Sequence, residues 1–462
     1  MKTELLVILG GGESGVGTAL LAKKKGIPVF LSDSGMLSDV YRNILLKNEI
    51  PFEEGGHSME KILQASEIVK SPGIPRYAPL VVKALENSIP VIGELEFAGR
   101  FTKAKILAIT GSNGKTTTSL LTYHILQHAG FKVGLAGNIG QSFARQVAEE
   151  DFDYYVLEVS SFQLEDMFQF RAHIAVLLNI SPDHLDRYQY SLEKYAEAKF
   201  RIIQNQEKND AFIYLADDVE IQRGLLRHTI IAKQYPFSLG DSDQETKKIP
   251  GMASAPEGEV KPVAYLENNH IIIQVQNQFK MSIFELSLEG KHNMYNTMAA
   301  GICGKLLDIT NDTIRESMGN FKNTAHRLES AGRIQGIEFI NDSKATNVNS
   351  VWYALETMNS PVIWIAGGVD KGNDYSMLTE LVRQKVKAIV CLGKDNHKLH
   401  EAFENEVEIM VNAFSAKEAV SLAYHLGKKG DIVLLSPACA SFDLFKNYED
   451  RGNQFKAAVK EL

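Results

Sequence analysis

The sequence predicts an α/β protein of three domains, in which helices cover largely parallel sheets. Apolar runs of strand length alternate with helical stretches along almost the whole chain, which is typical of this class. The chain also has 462 residues, too many for a single hydrophobic core, and this length favours about three domains. We place the domains at residues 1–96, 97–323 and 324–462.

The expected strands are short apolar runs that end in polar or glycine-containing turns. In chain order they are Leu5–Leu9, Val29–Leu31, one near Val91, Lys105–Thr110, Tyr154–Glu158, Ile174–Asn179, Ile271–Val275, Lys280–Leu286, Glu338–Ile340, Val362–Ala366, Ala388–Leu392 and Ile432–Leu435. Helices are expected after the first glycine-rich turn, as far as about Lys25, and over Asn293–Leu307. The polar residues 240–260 are expected to form an exposed excursion.

Composition limits the classes of partner and compartment. With 44% hydrophobic and 23% charged residues, a net charge of -8 and no basic stripe, we expect no nucleic-acid partner. The longest apolar runs, such as Ile174–Leu178, are far shorter than the roughly 20 residues that span a bilayer, so we expect no membrane span. Glu4 and the glycines after it stand where a signal peptide would continue its apolar segment, so we expect no export. The three cysteines lie far apart in sequence and lack metal-ligand spacing. A reducing, cytoplasmic compartment is therefore expected.

The first domain opens with a strand, a glycine-rich turn and a helix. The turn matches G-x-G-x-x-G through Gly10, Gly12 and Gly15, and the next strand is followed by Asp33. This is the fingerprint of a Rossmann-like, dinucleotide-binding domain. The same geometry binds any diphosphate at a helix N-terminus, including that of a nucleotide sugar. We favour the diphosphate site, with a redox cofactor and a purely structural turn as alternatives.

The second glycine-rich turn, Gly111–Thr117, follows an apolar strand and indicates a P-loop-type, mononucleotide-binding α/β domain. Its glycines allow the backbone to approach phosphates, Lys115 would contact the terminal phosphates, and the Thr116 hydroxyl would hold Mg²⁺. Ile109 stands where the usual pattern has a glycine, so the loop is a shortened variant. A nucleoside triphosphate is the expected ligand, and an ordinary turn before a helix is the alternative.

Polar side chains at two later strand ends suit metal ions. Glu158 ends an apolar strand, where an acidic residue completes the Mg²⁺ shell of loop-type nucleotide enzymes; a structural ion pair is the alternative. His184 lies in a turn with Asp183 and Asp186 after the next strand, which suits a second metal position or a surface histidine. Lys199, on a helix, would ordinarily pass as a solvated surface lysine, and the residues alone leave its role unassigned.

The third domain places further polar groups where strands end. Arg327, Asp342 and Lys344 lie at strand ends, and Gly367–Lys371 and Ser436–Phe442 follow strands. This is the ligand edge of an open, Rossmann-like α/β sheet. Each loop alone could be a helix cap or a turn, but several in one domain favour a binding site.

Taken together, the motifs resemble the Mur ligase family. Those that carry the resemblance are, in order, Thr110–Thr116, Gly137–Gly140, Leu157–Leu164, Asp183–Tyr188, His292-Asn293 with Asn296, His326-Arg327, Asn341–Asn347 and Leu435–Ser441. They extend over essentially the whole chain, and the shortened phosphate loop is the form that this family has.

The resemblance implies an ATP-dependent ligase that forms an amide bond in the synthesis of peptidoglycan precursors. ATP would phosphorylate the carboxylate of UDP-N-acetylmuramoyl-L-alanine, and the amine of D-glutamate would attack the acyl phosphate. Two Mg²⁺ ions would offset the repulsion between carboxylate and γ-phosphate. Sibling ligases that add a diamino acid carry an Asp-Asn-Pro-Arg motif, which this sequence lacks. We expect a monomer.

The resemblance also implies roles for particular residues. Lys115, His184 and Lys199 would be catalytic, with Lys199 carbamylated so that it holds the second Mg²⁺. The implied metal ligands are Thr116, Glu158, His184 and Lys199. The implied ATP-binding residues are Gly111, Ser112, Asn113, Gly114, Lys115, Thr116, Thr117, Asn296, Arg327, Asp342 and Lys344. The implied substrate-binding residues are Gly12, Gly15, Asp33, Ser71, Asn138, His184, Thr346, Lys371, Ser436 and Phe442.

Two regions depart from the family pattern, and three other functions remain open. Asp33 lacks a neighbouring arginine that some members have, and residues 240–260 match nothing in the family. A ligase of this family could add a different amino acid. A nicotinamide-dependent oxidoreductase would leave the second phosphate loop unexplained, and a non-catalytic nucleotide-binding module would not need Glu158, His184 and Lys199 together.

Overall fold

The computed structural model describes residues 4–240, 261–288, 290–322, 325–370 and 372–462. The chain forms two compact units, one of Met1–Glu289 with Asn293–Phe321 and the other of Gly290–His292 with Lys322–Leu462. Within the described residues, the first unit contains two sheets and the second contains one. The predicted α/β class is confirmed.

The first sheet has five parallel strands in the order β3-β2-β1-β4-β5. The strands are β1 (Leu6–Leu9), β2 (Val29–Ser32), β3 (Phe52–Glu53), β4 (Glu67–Lys70) and β5 (Val91–Gly93). The helices are α1 (Glu13–Lys24), α2 (Asp39–Lys47), α3 (Met59–Ile62), α4 (Pro79–Glu86) and α5 (Glu94–Gly99). Every residue of β1 and β2 is buried, as expected for strands with both faces covered.

The second sheet has nine strands in the order β14-β13-β12-β11-β10-β9-β6-β8-β7. The strands are β6 (Lys105–Thr110), β7 (Val133–Gly137), β8 (Tyr154–Glu158), β9 (Ile174–Leu177), β10 (Ala211–Leu215), β11 (Lys233–Phe237), β12 (Ala264–Glu267), β13 (His270–Val275) and β14 (Asn277–Ser282). The helices are α6 (Lys115–His128), α7 (Phe143–Glu149), α8 (Ser161–Leu164), α9 (Leu192–Phe200), α10 (Val219–Arg227), α11 (Lys291–Leu306) and α12 (Asn311–Asn320). The last two strand pairs, β12 with β13 and β13 with β14, are antiparallel, and the others are parallel.

The bounds of several predicted strands were wrong by one residue or more, and for two of them the structure shows a local cause. The strand predicted at Lys280–Leu286 is β14, which begins at Asn277 and ends at Ser282, because Gln276 takes a positive φ of 60° and makes a tight hairpin with β13. The strand predicted at Ile174–Asn179 ends at Leu177, because the Asn179 carbonyl accepts a hydrogen bond from Ser112 N instead. Most of the predicted excursion, residues 241–260, lies outside the described residues.

Within the first unit, helices α1 and α7 pack closely and join the two sheets. A Cβ atom on Gly17 would lie 2.1 Å from Ser142 Oγ, so only glycine permits this approach. Ser142 Oγ in turn donates to the buried Glu94 carboxylate at 2.7 Å, and Ala144 N donates to the same oxygen at 2.9 Å. One hydrophobic core therefore extends across both sheets.

The sheet of the second unit has six strands in the order β15-β16-β20-β17-β18-β19, parallel except for the β15–β16 pair. The strands are β15 (Glu329–Ile334), β16 (Ile337–Asn341), β17 (Val362–Ala366), β18 (Val386–Leu392), β19 (Ile409–Ala413) and β20 (Ile432–Leu435). The helices are α13 (Val348–Thr357), α14 (Thr379–Lys385), α15 (His397–Phe403), α16 (Ala416–Leu426) and α17 (Tyr448–Lys460). Among the described residues of both units, no helix combines the length and apolar character needed to cross a membrane.

Candidate functional site

The Gly111–Gly114 loop connects β6 to the N-terminus of α6, as predicted. Gly114 caps the helix with a positive φ of 83°, and a Cβ atom there would lie 2.2 Å from Asn296 Oδ1. The loop is therefore packed on the buried Asn296 side chain, which also accepts from Thr118 Oγ1 at 3.2 Å. The N–H groups that point out of a helix start, together with the helix dipole, favour an anion such as a phosphate.

Asn179 braces the phosphate loop from the end of β9, a role that the sequence reasoning missed. Its side-chain oxygen accepts from Asn113 N at 2.8 Å, and its amide donates to the Asn113 carbonyl at 3.0 Å. Ser112 is held on the same side, since its hydroxyl donates to the Ser181 carbonyl at 2.9 Å and lies 3.1 Å from the Tyr195 hydroxyl. These bonds hold the loop in one conformation.

Lys115 and Lys199 meet at one backbone carbonyl of the loop. Lys115 Nζ donates to the Gly111 carbonyl at 2.7 Å and to the Ser112 carbonyl at 2.8 Å. Lys199 Nζ donates to the Gly111 carbonyl at 2.8 Å and lies over the Tyr195 ring. Lys199 is 1% exposed, so the reading of it as a solvated lysine was wrong. Burial, and to a lesser degree the charge of Lys115, holds the pKa of Lys199 well below its usual value.

Glu158 ends β8 with a buried carboxylate that is only half satisfied. Its Oε1 accepts from Asn138 Nδ2 at 2.7 Å, and its backbone carbonyl accepts from Asn138 N at 2.8 Å. Its Oε2 has no hydrogen-bond partner among the described residues, although the residue is 1% exposed. A buried, unpaired carboxylate oxygen is costly, and a hard cation such as Mg²⁺ would satisfy it. The donor chemistry therefore fits a magnesium ion.

His184 lies in the turn predicted to hold a second metal ion. It has a positive φ of 54° and precedes a short 3₁₀ helix, Leu185–Tyr188. Its Nε2 lies 3.7 Å from Asp183 Oδ1, and its ring meets the Phe162 ring edge to face at 5.1 Å between centroids. Within the part of the chain that the structure describes, no three His, Cys, Asp or Glu side chains gather as a metal-binding group. A second ion would thus need a further ligand of another kind.

The glycine-rich turn of the first sheet brings four predicted substrate residues to one strand edge. Gly15 allows the turn to close, because a Cβ atom there would lie 1.9 Å from the Gly10 carbonyl oxygen, whereas at Gly12 it would meet no atom within 4 Å. The Asp33 carboxylate accepts from Gly11 N at 2.5 Å and from Gly35 N at 2.7 Å, so it holds the turn in place. Ser71 N donates to the carbonyl of Leu9 at the end of β1.

In the second unit, the predicted residues lie at the carboxyl ends of β16 and β20. Asp342 is buried and accepts from Ser436 Oγ at 2.8 Å, and burial raises the pKa of Asp342 to about 7. Ser436 is fully buried, whereas Phe442 is 73% exposed. Lys344 lies over the Tyr448 ring, and Arg327 and Thr346 are partly exposed. Lys371 lies outside the described residues.

Arg451, on α17, ties together three loops of the second unit and was also missed. Its guanidinium donates to the carbonyl oxygens of Ser343 at 2.9 Å, Cys439 at 3.2 Å and Gly367 at 3.3 Å. The side chain is 1% exposed, and burial lowers its pKa to about 10. No sequence pattern marked it, because α17 reads as a charged helix.

Family models match three stretches of the chain. They are described as Mur ligase MurD-like, N-terminal domain, over residues 4–93; Mur ligase middle domain, over residues 109–304; and Mur ligase, glutamate ligase domain, over residues 326–439. The predicted three-domain α/β fold is thereby confirmed.

Curated relatives and a solved structure are similar to this chain over nearly its whole length. The chain is 53% identical over 458 residues to UDP-N-acetylmuramoylalanine--D-glutamate ligase of Bacteroides fragilis, with 99% of both chains covered. It is 40% identical over 463 residues to the enzyme of the same name from Salinibacter ruber, covering 98% of this chain and 97% of that one. Its fold is similar to UDP-N-acetylmuramate-alanine ligase MurC of Thermotoga maritima, with a TM-score of 0.62, 18% identity and 99% of both chains covered.

Proposed function

This chain belongs to the Mur ligase family, and we propose that it joins D-glutamate to the L-alanine carboxylate of UDP-N-acetylmuramoyl-L-alanine with hydrolysis of ATP. Curated relatives of that name, at 40% to 53% identity over nearly the whole chain, support this substrate pair. The observation in the structure that carries the proposal is the pair of lysines, Lys115 and Lys199, bonded to one carbonyl of the phosphate loop.

The reaction brings together two anions, and the site supplies the opposing charge. A carboxylate oxygen of the muramoyl substrate attacks the γ-phosphorus of ATP, ADP leaves, and an acyl phosphate forms. The D-glutamate nitrogen then attacks the acyl carbon and loses a proton, and phosphate leaves with the former carboxylate oxygen. Lys115 reaches the phosphate loop from the first turn of α6, where its charge would stabilise the phosphoryl group in transit.

The Mg²⁺ proposal rests on the chemistry of the side chains. Thr116 and Glu158 would hold one ion, and His184 with a carbamylated Lys199 would hold a second. When bound, the ions would neutralise the phosphate and carboxylate oxygens that approach one another. A lysine with a lowered pKa has more of the neutral amine that reacts with carbon dioxide, so the burial of Lys199 supports carbamylation. The carbamate would end in two oxygens, which are suitable ligands for Mg²⁺.

The remaining predicted contacts are part of the same proposal. The diphosphate of the UDP substrate would lie on the first glycine-rich turn, with Gly12, Gly15, Asp33 and Ser71, and its muramoyl end near Asn138 and His184. ATP would bind Gly111–Thr117 and Asn296, with Arg327, Asp342 and Lys344. D-glutamate would bind Thr346, Lys371, Ser436 and Phe442. We further propose domains at residues 1–96, 97–323 and 324–462, and a cytoplasmic monomer.

The comparisons favour the ligase over the nicotinamide-dependent oxidoreductase that the first glycine-rich turn alone would allow. The experiment is an assay of ADP and phosphate release by the purified protein, with UDP-N-acetylmuramoyl-L-alanine and a panel of amino acids. We expect release only when ATP, the UDP substrate and D-glutamate are all present. Full turnover without the amino acid, or with L-glutamate or a diamino acid in its place, would contradict the proposal.

A further inference from the structure

The loop Ser71–Pro75, between β4 and α4, is held from both ends by cationic side chains. Lys70 precedes it and Arg76 follows it, and both bind Asp166, which lies just beyond α8 beside the second sheet. Lys70 and Asp166 are each 1% exposed, so this ion pair is shielded from solvent. Breaking one partner of such a pair leaves an uncompensated buried charge, so the Lys70 end of the loop is firmly fixed.

Arg187 holds the middle of the same loop. One nitrogen of its guanidinium donates to the Pro72 carbonyl at 2.9 Å, and the other donates to Glu165 Oε2 at 3.0 Å. The Arg187 side chain is 10% exposed. Its planar fork thus bridges a backbone oxygen of the first sheet's loop and a carboxylate that follows α8, a geometry that lysine cannot reproduce.

The same arginine reaches the turn that carries His184. Arg187 lies three positions after His184, in the 3₁₀ helix that His184 precedes. Its guanidinium carbon lies 4.0 Å from the centroid of the Phe162 ring, and the same ring makes the edge-to-face contact with His184. Arg187 therefore connects the loop Ser71–Pro75 to the candidate metal turn through one hydrogen bond and one ring.

We infer that Arg187 is a positioning residue, which holds the loop Ser71–Pro75, beside the glycine-rich turn that would bind the UDP diphosphate, at a fixed distance from the His184 turn, where the carboxylate of the same substrate would react. The inference rests on the proposed function, since it needs one long substrate that spans both places. A substrate held at both ends gains affinity from both contacts only if the spacing between them is right. Arg187 acts through Pro72 and Phe162 and does not itself contact the reacting atoms.

The test compares Arg187→Ala with Arg171→Ala. Arg171 also binds a carboxylate, with Asp210 at 2.8 and 3.0 Å, but these contacts lie away from both glycine-rich turns and from the loop Ser71–Pro75. For Arg187→Ala we expect KM for UDP-N-acetylmuramoyl-L-alanine to rise about tenfold or more, since a charged hydrogen bond is lost, while KM for ATP changes less than about twofold. For Arg171→Ala we expect both KM values to be unchanged.

A rescue experiment separates positioning from general stability. Low concentrations of guanidinium should lower the raised KM of Arg187→Ala, because the ion can reoccupy the space between Pro72 and Glu165, and should not affect Arg171→Ala. If Arg187→Ala does not fold, Arg187→Lys replaces it, with an intermediate rise in the same KM expected. An unchanged KM for the UDP substrate, or equal rises for all three substrates, would overturn the inference. If the wild-type protein forms no product from the three substrates, the proposed function fails instead.

Discussion

Replacing Glu158 by glutamine separates a metal ligand from an ordinary buried carboxylate. The substitution keeps the size of the side chain and keeps one oxygen. That oxygen can accept the hydrogen bond that Asn138 Nδ2 donates to Glu158 Oε1 at 2.7 Å in the wild type. It removes the negative charge beside Oε2, which has no hydrogen-bond partner within the described ranges. Without Mg²⁺, we expect the stability of Glu158→Gln to equal or exceed that of the wild type, because an unsatisfied buried charge has been removed.

The expected loss of activity follows from the contribution that one charged group makes to stabilising the transition state. Removing one such electrostatic contact typically costs about 3–4 kcal/mol, and each 1.36 kcal/mol is about a tenfold change in rate. We therefore expect kcat/KM of Glu158→Gln to fall roughly 10²- to 10³-fold, with a higher Mg²⁺ concentration needed for half-maximal rate. The assay is ADP release against Mg²⁺ concentration, with urea denaturation of the metal-free protein beside it.

Glu96 provides the matched control. It is also a buried glutamate, 2% exposed, but its oxygens accept from the backbone N–H groups of Phe168, Gln169 and Phe170 at 2.8–3.2 Å. Glu96→Gln should therefore lower stability by about 3 kcal/mol, because charged hydrogen bonds are lost, and leave the Mg²⁺ dependence unchanged. Wild-type kcat/KM and Mg²⁺ dependence in Glu158→Gln, or a lower stability of Glu158→Gln than of Glu96→Gln, would contradict a metal-binding role for Glu158.

Three further predictions concern glycine, lysine and aspartate positions. Gly12→Ala should raise KM for the UDP substrate without loss of stability, whereas Gly15→Ala should lower stability, because its Cβ would lie 1.9 Å from the Gly10 carbonyl oxygen; denaturation midpoints that rank the two the other way would contradict this. Lys199→Ala should abolish ligation, and added bicarbonate should not restore it, whereas a short carboxylic acid should restore part; near-normal activity of the variant would disprove the carbamate. Burial raises the pKa of Asp342 from 3.8 to about 7, so the folded chain holds a proton that the unfolded chain has lost in that range. Stability should therefore fall as pH rises from about 4 to 7, and Asp342→Asn should remove this part of the fall; midpoints that depend on pH identically in both proteins would contradict it.

Features set by neighbouring residues could be predicted from the sequence. The phosphate loop, with Lys115 at the start of its helix, depends on a few consecutive residues, and Glu158 was recognised because a charge at the end of an apolar strand is unusual. The position of the tight turn before β14 was not predicted, because Gln276 takes a positive φ without the glycine or asparagine that usually marks such a turn.

Features that depend on distant segments could not be predicted. Lys199 bonds to a carbonyl 88 positions away, and its helix gives no sign that this lysine is buried. Arg187 bonds to the Pro72 carbonyl 115 positions away, and Arg451 bonds to the Ser343 carbonyl 108 positions away. A local sequence pattern cannot distinguish these side chains from solvated ones, because their hydrogen-bond acceptors come close only when distant segments pack together.

The central claim is that the site activates a carboxylate as an acyl phosphate. The direct measurement uses UDP-N-acetylmuramoyl-L-alanine labelled with ¹⁸O in the L-alanine carboxylate, together with ATP and D-glutamate, and mass analysis of the phosphate released. If the carboxylate attacks the γ-phosphorus, one labelled oxygen leaves with the phosphate for each amide bond formed. Amide formation with unlabelled phosphate would contradict the account.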